Sequence, residues 1–246
     1  MTTMGPAIRL HARHTPGHAA RVAHALALLR EAADRHPNRI VQATSLGVEG
    51  MVLTDLAARH ALPIAVATLD TGKLHPETLA LLPRIRERYG IDVEVVRPQA
   101  EAVLRFVRRH GEDPMRESVE LRKACCALRK LEPMARLLAD RSAWITGLRR
   151  EQSPARAEVP FKELDAEGRE KYYPLADWSE ADVWQYVATH AVPYNELHDR
   201  FYPSIGCAPC TRAIALGEDP RAGRWWWEQD GPRECGLHAR GETIAA

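Results

Sequence analysis

The chain has 246 residues, 45% hydrophobic and 27% charged, enough for one large globular domain with a sizeable core. Lys and Arg number 34 against 33 Asp and Glu, and the formal net charge of +1 gives no global field to recruit nucleic acid or an acidic membrane. Any anion site must therefore be local. The first twenty residues lack the apolar core of a signal peptide and no run of about 18 apolar residues occurs, so the chain reads as soluble and cytoplasmic.

In chain order, residues 1–20, with His11, His14 and His18, read as a disordered N-terminal extension, since no cysteine or carboxylate stands near the histidines to complete a metal site. "AARVAHALALLREAADRH" (19–36) has apolar residues at helical spacing and stops at Pro37. "RIVQAT" (39–44) predicts a buried strand, "SLGVEG" (45–50) a loop and "MVLTDLAARH" (51–60) a helix. The same succession follows with "IAVATL" (64–69), "DTGKLH" (70–75) and "PETLALLPRIRERYG" (76–90), a helix opened by Pro76 and bent at Pro83. "IDVEVV" (91–96) and "SAWIT" (142–146) add further strands.

Strands alternating with helices predict an α/β fold, a mostly parallel sheet flanked by helices. From about residue 195 Pro, Gly, Cys and Trp become dense and periodicity fails. This divides the chain into an α/β unit over 21–215 and an irregular C-terminal tail over 216–246.

Ligands of such sheets gather at the carboxyl ends of the strands, which places the "SLGVEG" and "DTGKLH" loops at the site. Ser45 and Gly47, where a loop enters a helix, offer a hydroxyl and free backbone N–H groups for a phosphate. Five cysteines are present. Cys125 and Cys126 are adjacent in "KACCALRK", and Cys207 and Cys210 have C-x-x-C spacing in "GCAPC". Adjacent residues point about 100° apart on a helix, so both reach one site only if the site is wide or the helix distorted. A 4Fe-4S cluster meets that need; a structural zinc ion and two disulfides are the alternatives. The fifth, Cys235 in "PRECGLHAR", stands apart and invites a separate role, with an ordinary buried cysteine as the alternative.

Together "SLGVEGMVLTDLA", "TLDTGKLHPETL", "KACCALRK", "GLRREQSPAR", "PLADWSEADVW", "VPYNELHDRFYPSIGCAPCTRAI", "GEDPRAGRWWWE" and "ECGLH" resemble the assimilatory sulfonucleotide reductases. They resemble more narrowly the iron-sulfur branch that acts on adenosine 5'-phosphosulfate (APS). The resemblance implies an adenine nucleotide alpha-hydrolase-like fold, a 4Fe-4S cluster on Cys125, Cys126, Cys207 and Cys210, and Cys235 as nucleophile. It further implies that Lys130, Arg221, Arg224 and His238 hold the phosphosulfate, with Ser45, Gly47 and the turn Asp70, Thr71, Gly72 beside the nucleotide. Thioredoxin or glutaredoxin is the implied electron donor and a homo-oligomer the implied assembly. A reductase of the 3'-phosphorylated substrate (PAPS) and a non-catalytic iron-sulfur nucleotide sensor remain the alternatives. Two positions depart from the pattern: Gly50 replaces a second acidic residue, and Ala155 a common Thr.

Overall fold

A computed structural model describes residues 4–228. The expected strands are β1 (Ile40–Thr44), β2 (Ala65–Leu69), β3 (Glu94–Val96) and β4 (Ala143–Ile145). The structure adds a hairpin, β5 (Lys162–Leu164) and β6 (Glu170–Tyr172). Among the described residues these form one sheet in the order β3-β2-β1-β4-β6-β5, parallel except for β5, which runs antiparallel to β6. The mostly parallel α/β fold is therefore present.

Side chains alternate across a strand, and here both faces are covered. Ile40, Ala143, Ile145 and Tyr172 enter one core with residues of α2 (His18–Arg35), α3 (Val48–Arg59), α5 (Leu81–Tyr89) and α9 (Glu180–His190). Val41, Ala67, Val96 and Trp144 point the other way, onto Met134, Leu137 and Leu138 of α8 (Glu132–Leu138).

Two expectations need correction. The helix over 76–90 is two helices, α4 (Pro76–Leu79) and α5, broken at Ala80. Pro83 has no N–H to donate to the Leu79 carbonyl, so the ladder cannot run through. The N-terminal segment is also not an unstructured extension where it is described. Residues 6–11 form α1 (Pro6–His11), which packs on α9 with Ala7 only 2% exposed. His11 stacks on Trp184, and Asp182 accepts hydrogen bonds from Thr15, from His18 at 3.0 Å and from Arg21 at 2.6 Å. Asp182 also closes the capping box of α9 with Ser179, so one buried carboxylate ties the N-terminal segment to a helix start. His11 and His18 serve this packing.

The strand order reverses between β1 and β4, which opens a crevice at their carboxyl ends. Beyond His190 the described chain has only the short 3-10 turns Glu196–Arg200 and Ala208–Cys210 and two isolated bridges, Leu74 with Cys207 and Thr211 with Arg224. This segment folds back over the crevice.

Candidate active site

The crevice holds a cavity of about 400 Å³. Its apolar floor comes from Ala43, Ala67, Leu69, Met134, Leu137 and Trp144, at the sheet and α8. Ser45, Gly47, Thr71, Lys130, Arg221 and Arg224 supply polar and cationic lining. Flat apolar surface beside converging cations suits a heteroaromatic ring linked to an anion.

Each side chain has a local reason for its place. Gly47 is the N-cap of α3, so the first N–H groups of a twelve-residue helix face the loop that carries Ser45. The Asp70 carboxylate accepts from the Gly72 N–H at 3.0 Å and from Arg97 at 3.0 Å, and Gly72 has φ of 70°. Neither lines the cavity; they build the left-handed turn that presents Thr71. Arg224 is 7% exposed, its guanidinium 4.6 Å from the Trp225 ring centroid and 3.3 Å from Ser204 Oγ. Among the described residues no carboxylate pairs with it, and its Nε has no hydrogen-bond partner. A buried unpaired cation is costly unless an anion arrives. Gly206 makes room for it, since a Cβ there would lie 2.4 Å from an Arg224 nitrogen.

The two cysteine pairs converge. Cys125, Cys126, Cys207 and Cys210 line one small second cavity, and among the described residues none of the four is in a disulfide. Cys125 and Cys126 end α7 (Val119–Cys126), and the next turn, Ala127–Leu131, is π-helical. Pro133, at the start of α8, cannot donate to the Arg129 carbonyl, which favours the widened turn. This is the helix distortion that adjacent cysteines require. The π turn carries Lys130, which with Trp225 lines both cavities and forms the wall between them.

Burial pushes the Cys210 thiol up to about 11, and the neighbouring Cys207 adds to the rise. Burial likewise raises Cys125, against the pull of Arg129. Several donors face this pocket. Thr71 Oγ1 lies 3.2 Å from Cys207 Sγ, Arg129 Nη1 donates to the Thr71 carbonyl at 2.7 Å, and the buried Arg129 Nε and Trp225 Nε1 have no partner. Four thiols ringed by cations and orphaned N–H donors form a set that a bound metal centre with anionic sulfur would satisfy.

Residues 39–213 match the family model described as the phosphoadenosine phosphosulfate reductase domain. The chain belongs to this family. Two relatives are named adenosine 5'-phosphosulfate reductase. One, from Burkholderia cepacia, is 54% identical over 225 residues, covering 91% of this chain and 90% of its own. The other, from Allochromatium vinosum, is 56% identical over 207 residues, covering 84% and 81%. The solved phosphoadenylyl-sulfate (PAPS) reductase of Candida auris, a phosphate complex, superposes with a TM-score of 0.64 at 27% identity, over 80% of this chain and 97% of that one. An FMN adenylyltransferase of Candida glabrata shares the fold alone, with a TM-score of 0.54 at 14% identity over 82% of this chain and 66% of that one. The reductase family's fold is adenine nucleotide alpha-hydrolase-like, as the resemblance implied.

Of the expected site residues, Cys235 and His238 lie outside the described residues. Sequence reasoning missed the role of Glu49, which sits in the cavity wall and accepts from Arg149 Nε and Gln152 Nε2, each at 2.9 Å. Burial opposes its ionisation, but the Arg149 charge and hydrogen bonds from the backbone, Gln152 and Arg149 outweigh that and lower its pKa. Arg149 is thereby committed and also donates to the Trp178 carbonyl. His198 was missed too; it lines the cavity, and burial lowers its pKa. Nothing within "NELHDR" marks it, because its ring is packed by Trp184 of α9 and by Tyr194, both just outside that stretch. The "RWWWE" stretch is packing at Trp225, 1% exposed, while Arg116 covers Trp226 and Trp227.

Proposed function

We propose that this chain reduces APS to sulfite and AMP in sulfate assimilation, with Cys235 as nucleophile and a thioredoxin or glutaredoxin as electron donor. The observation that carries the reading is the buried, carboxylate-free Arg224 facing a cavity whose other end is apolar. The names of relatives at over half identity support the substrate.

Adenine would lie on the apolar floor, the α-phosphate at Ser45 and the α3 N-terminus, and the sulfate toward Lys130, Arg221, Arg224 and His238. The Cys235 thiolate attacks the sulfate sulfur, an S–S bond forms, and the S–O bond to AMP breaks with its electron pair on the phosphate. Cations at that oxygen lower the barrier, since thiolate and sulfate otherwise repel. A donor thiolate then attacks Cys235 Sγ and releases sulfite. The donor's second thiol resolves the mixed disulfide, so two electrons come from one dithiol.

Cys125, Cys126, Cys207 and Cys210 would hold a 4Fe-4S cluster, supported by the four-thiol donor set and the orphaned N–H groups around it. When bound it supplies structure and local electrostatics. Among the described residues no three His, Cys, Asp or Glu side chains are grouped as a single-ion site.

The test is intact-protein mass spectrometry after mixing anaerobically purified protein with APS and no donor. One added SO3 on Cys235, absent in Cys235→Ser and discharged as sulfite by reduced thioredoxin, is expected. No adduct with APS but one with PAPS would replace the substrate, and none with either would sink the reading. Light scattering checks for a homo-oligomer.

A further inference from the structure

We propose that the buried ion pair between Arg122 and Glu228 positions the catalytic tail, by fixing the point from which the chain to Cys235 departs. The proposal rests on the reading of Cys235 as nucleophile. Arg122 lies on α7 one turn before Cys125 and Cys126 and lines the cysteine cavity. Its guanidinium grips both Glu228 oxygens, through Nε and through Nη2 at 3.2 Å, with the two side chains 5% and 8% exposed. It also lies 4.7 Å from the Trp225 ring centroid, and the Glu228 N–H donates to the Trp225 carbonyl at 2.9 Å. The residue at the root of the tail is thus held by side chain and backbone at once.

Packing alone does not call for this arrangement. Apolar side chains of similar volume would stabilise the same contact as well or better, because burying two charges costs desolvation. A bidentate fork supplies a fixed distance and angle, which apolar contact does not. Cys235 follows Glu228 by seven residues, a span of at most about 25 Å. The position of Glu228 therefore limits which points of the site the Cys235 thiol can reach. Neither Arg122 nor Glu228 lines the nucleotide cavity, so the pair acts through the tail and touches no substrate.

The test uses Glu228→Gln, which keeps the shape, and a second protein with six Gly/Ser residues inserted after Glu228, which leaves the pair intact. The readouts are the rate of SO3 transfer to Cys235 from APS without donor, the AMP dissociation constant, and the cysteine-bound iron content. For Glu228→Gln we expect transfer about tenfold slower, with AMP affinity and iron within about twofold of the parent. The lengthened tail is expected to slow transfer about two- to threefold with the same controls. Parent-like transfer rates in both proteins would overturn the anchor while leaving Cys235 as nucleophile. AMP affinity or iron falling in step with transfer in Glu228→Gln, with the lengthened protein at the parent rate, would reduce the pair to a structural contact. No adduct on Cys235 in the parent protein would overturn both readings.

Discussion

Gly206 shows how a single missing carbon serves the anion site. A Cβ there meets the mobile end of Arg224, not backbone, so Gly206→Ala is expected to displace the guanidinium while sparing the fold. Calorimetry in a Cys235→Ser background, where APS is not turned over, should show APS binding weakened by about tenfold or more, with a melting temperature within about 2 °C of the parent. Equal affinity would mean that Arg224 does not meet the ligand. Gly50 is tight for a different reason: a Cβ there would lie 2.1 Å from Thr44 Oγ1, which already accepts from the Leu46 N–H. The acidic residue common in the family at this position has no room here unless Thr44 turns away.

Among the elements, the β5–β6 hairpin was the least legible. "KEL" and "EKY" are three residues each, and their placement comes from pairing, β6 with β4 and β5 with β6, not from alternation. Long, apolar β1 and β2 were readable because strands covered on both faces must be apolar throughout. The hairpin also carries a charged joint. Glu170 accepts from Tyr172, His36 and Arg35, and these bonds, led by Tyr172, hold its pKa down to about 2 from the ordinary 4.5. The carboxylate therefore contributes stability above pH 4.5 that is lost as pH falls from 4.5 toward about 2. Glu170→Gln should cost about 1–2 kcal/mol at pH 7, after allowing for solvent screening, and the gap to the parent should close below about pH 3 in urea titrations. A pH-independent gap would assign the loss to hydrogen bonding alone.

Across the whole molecule, two bodies meet at the crevice: the helix-covered sheet, and the segment after His190 that returns over it. They are sewn together by the Leu74–Cys207 bridge, the Ala208 N–H donating to the Lys73 carbonyl at 2.8 Å, and the four cysteines. On the proposed reading of these cysteines as cluster ligands, removing iron with a chelator should leave far-UV circular dichroism nearly unchanged but abolish the near-UV tryptophan signal around Trp225. Loss of both together would mean that the metal centre supports the sheet as well. The paired cysteines and the α/β rhythm were legible because each is a local pattern. Glu49 with Arg149, and Arg122 with Glu228, are 100 and 106 residues apart, and no periodicity announces a contact made by tertiary folding.

Lys130 and Trp225 form the partition between the open cavity and the pocket of the four cysteines. Whatever trims either side chain also opens a route for dioxygen to the thiols. On the proposed reading, air tolerance and substrate fit then depend on the same two residues, and tuning one property disturbs the other.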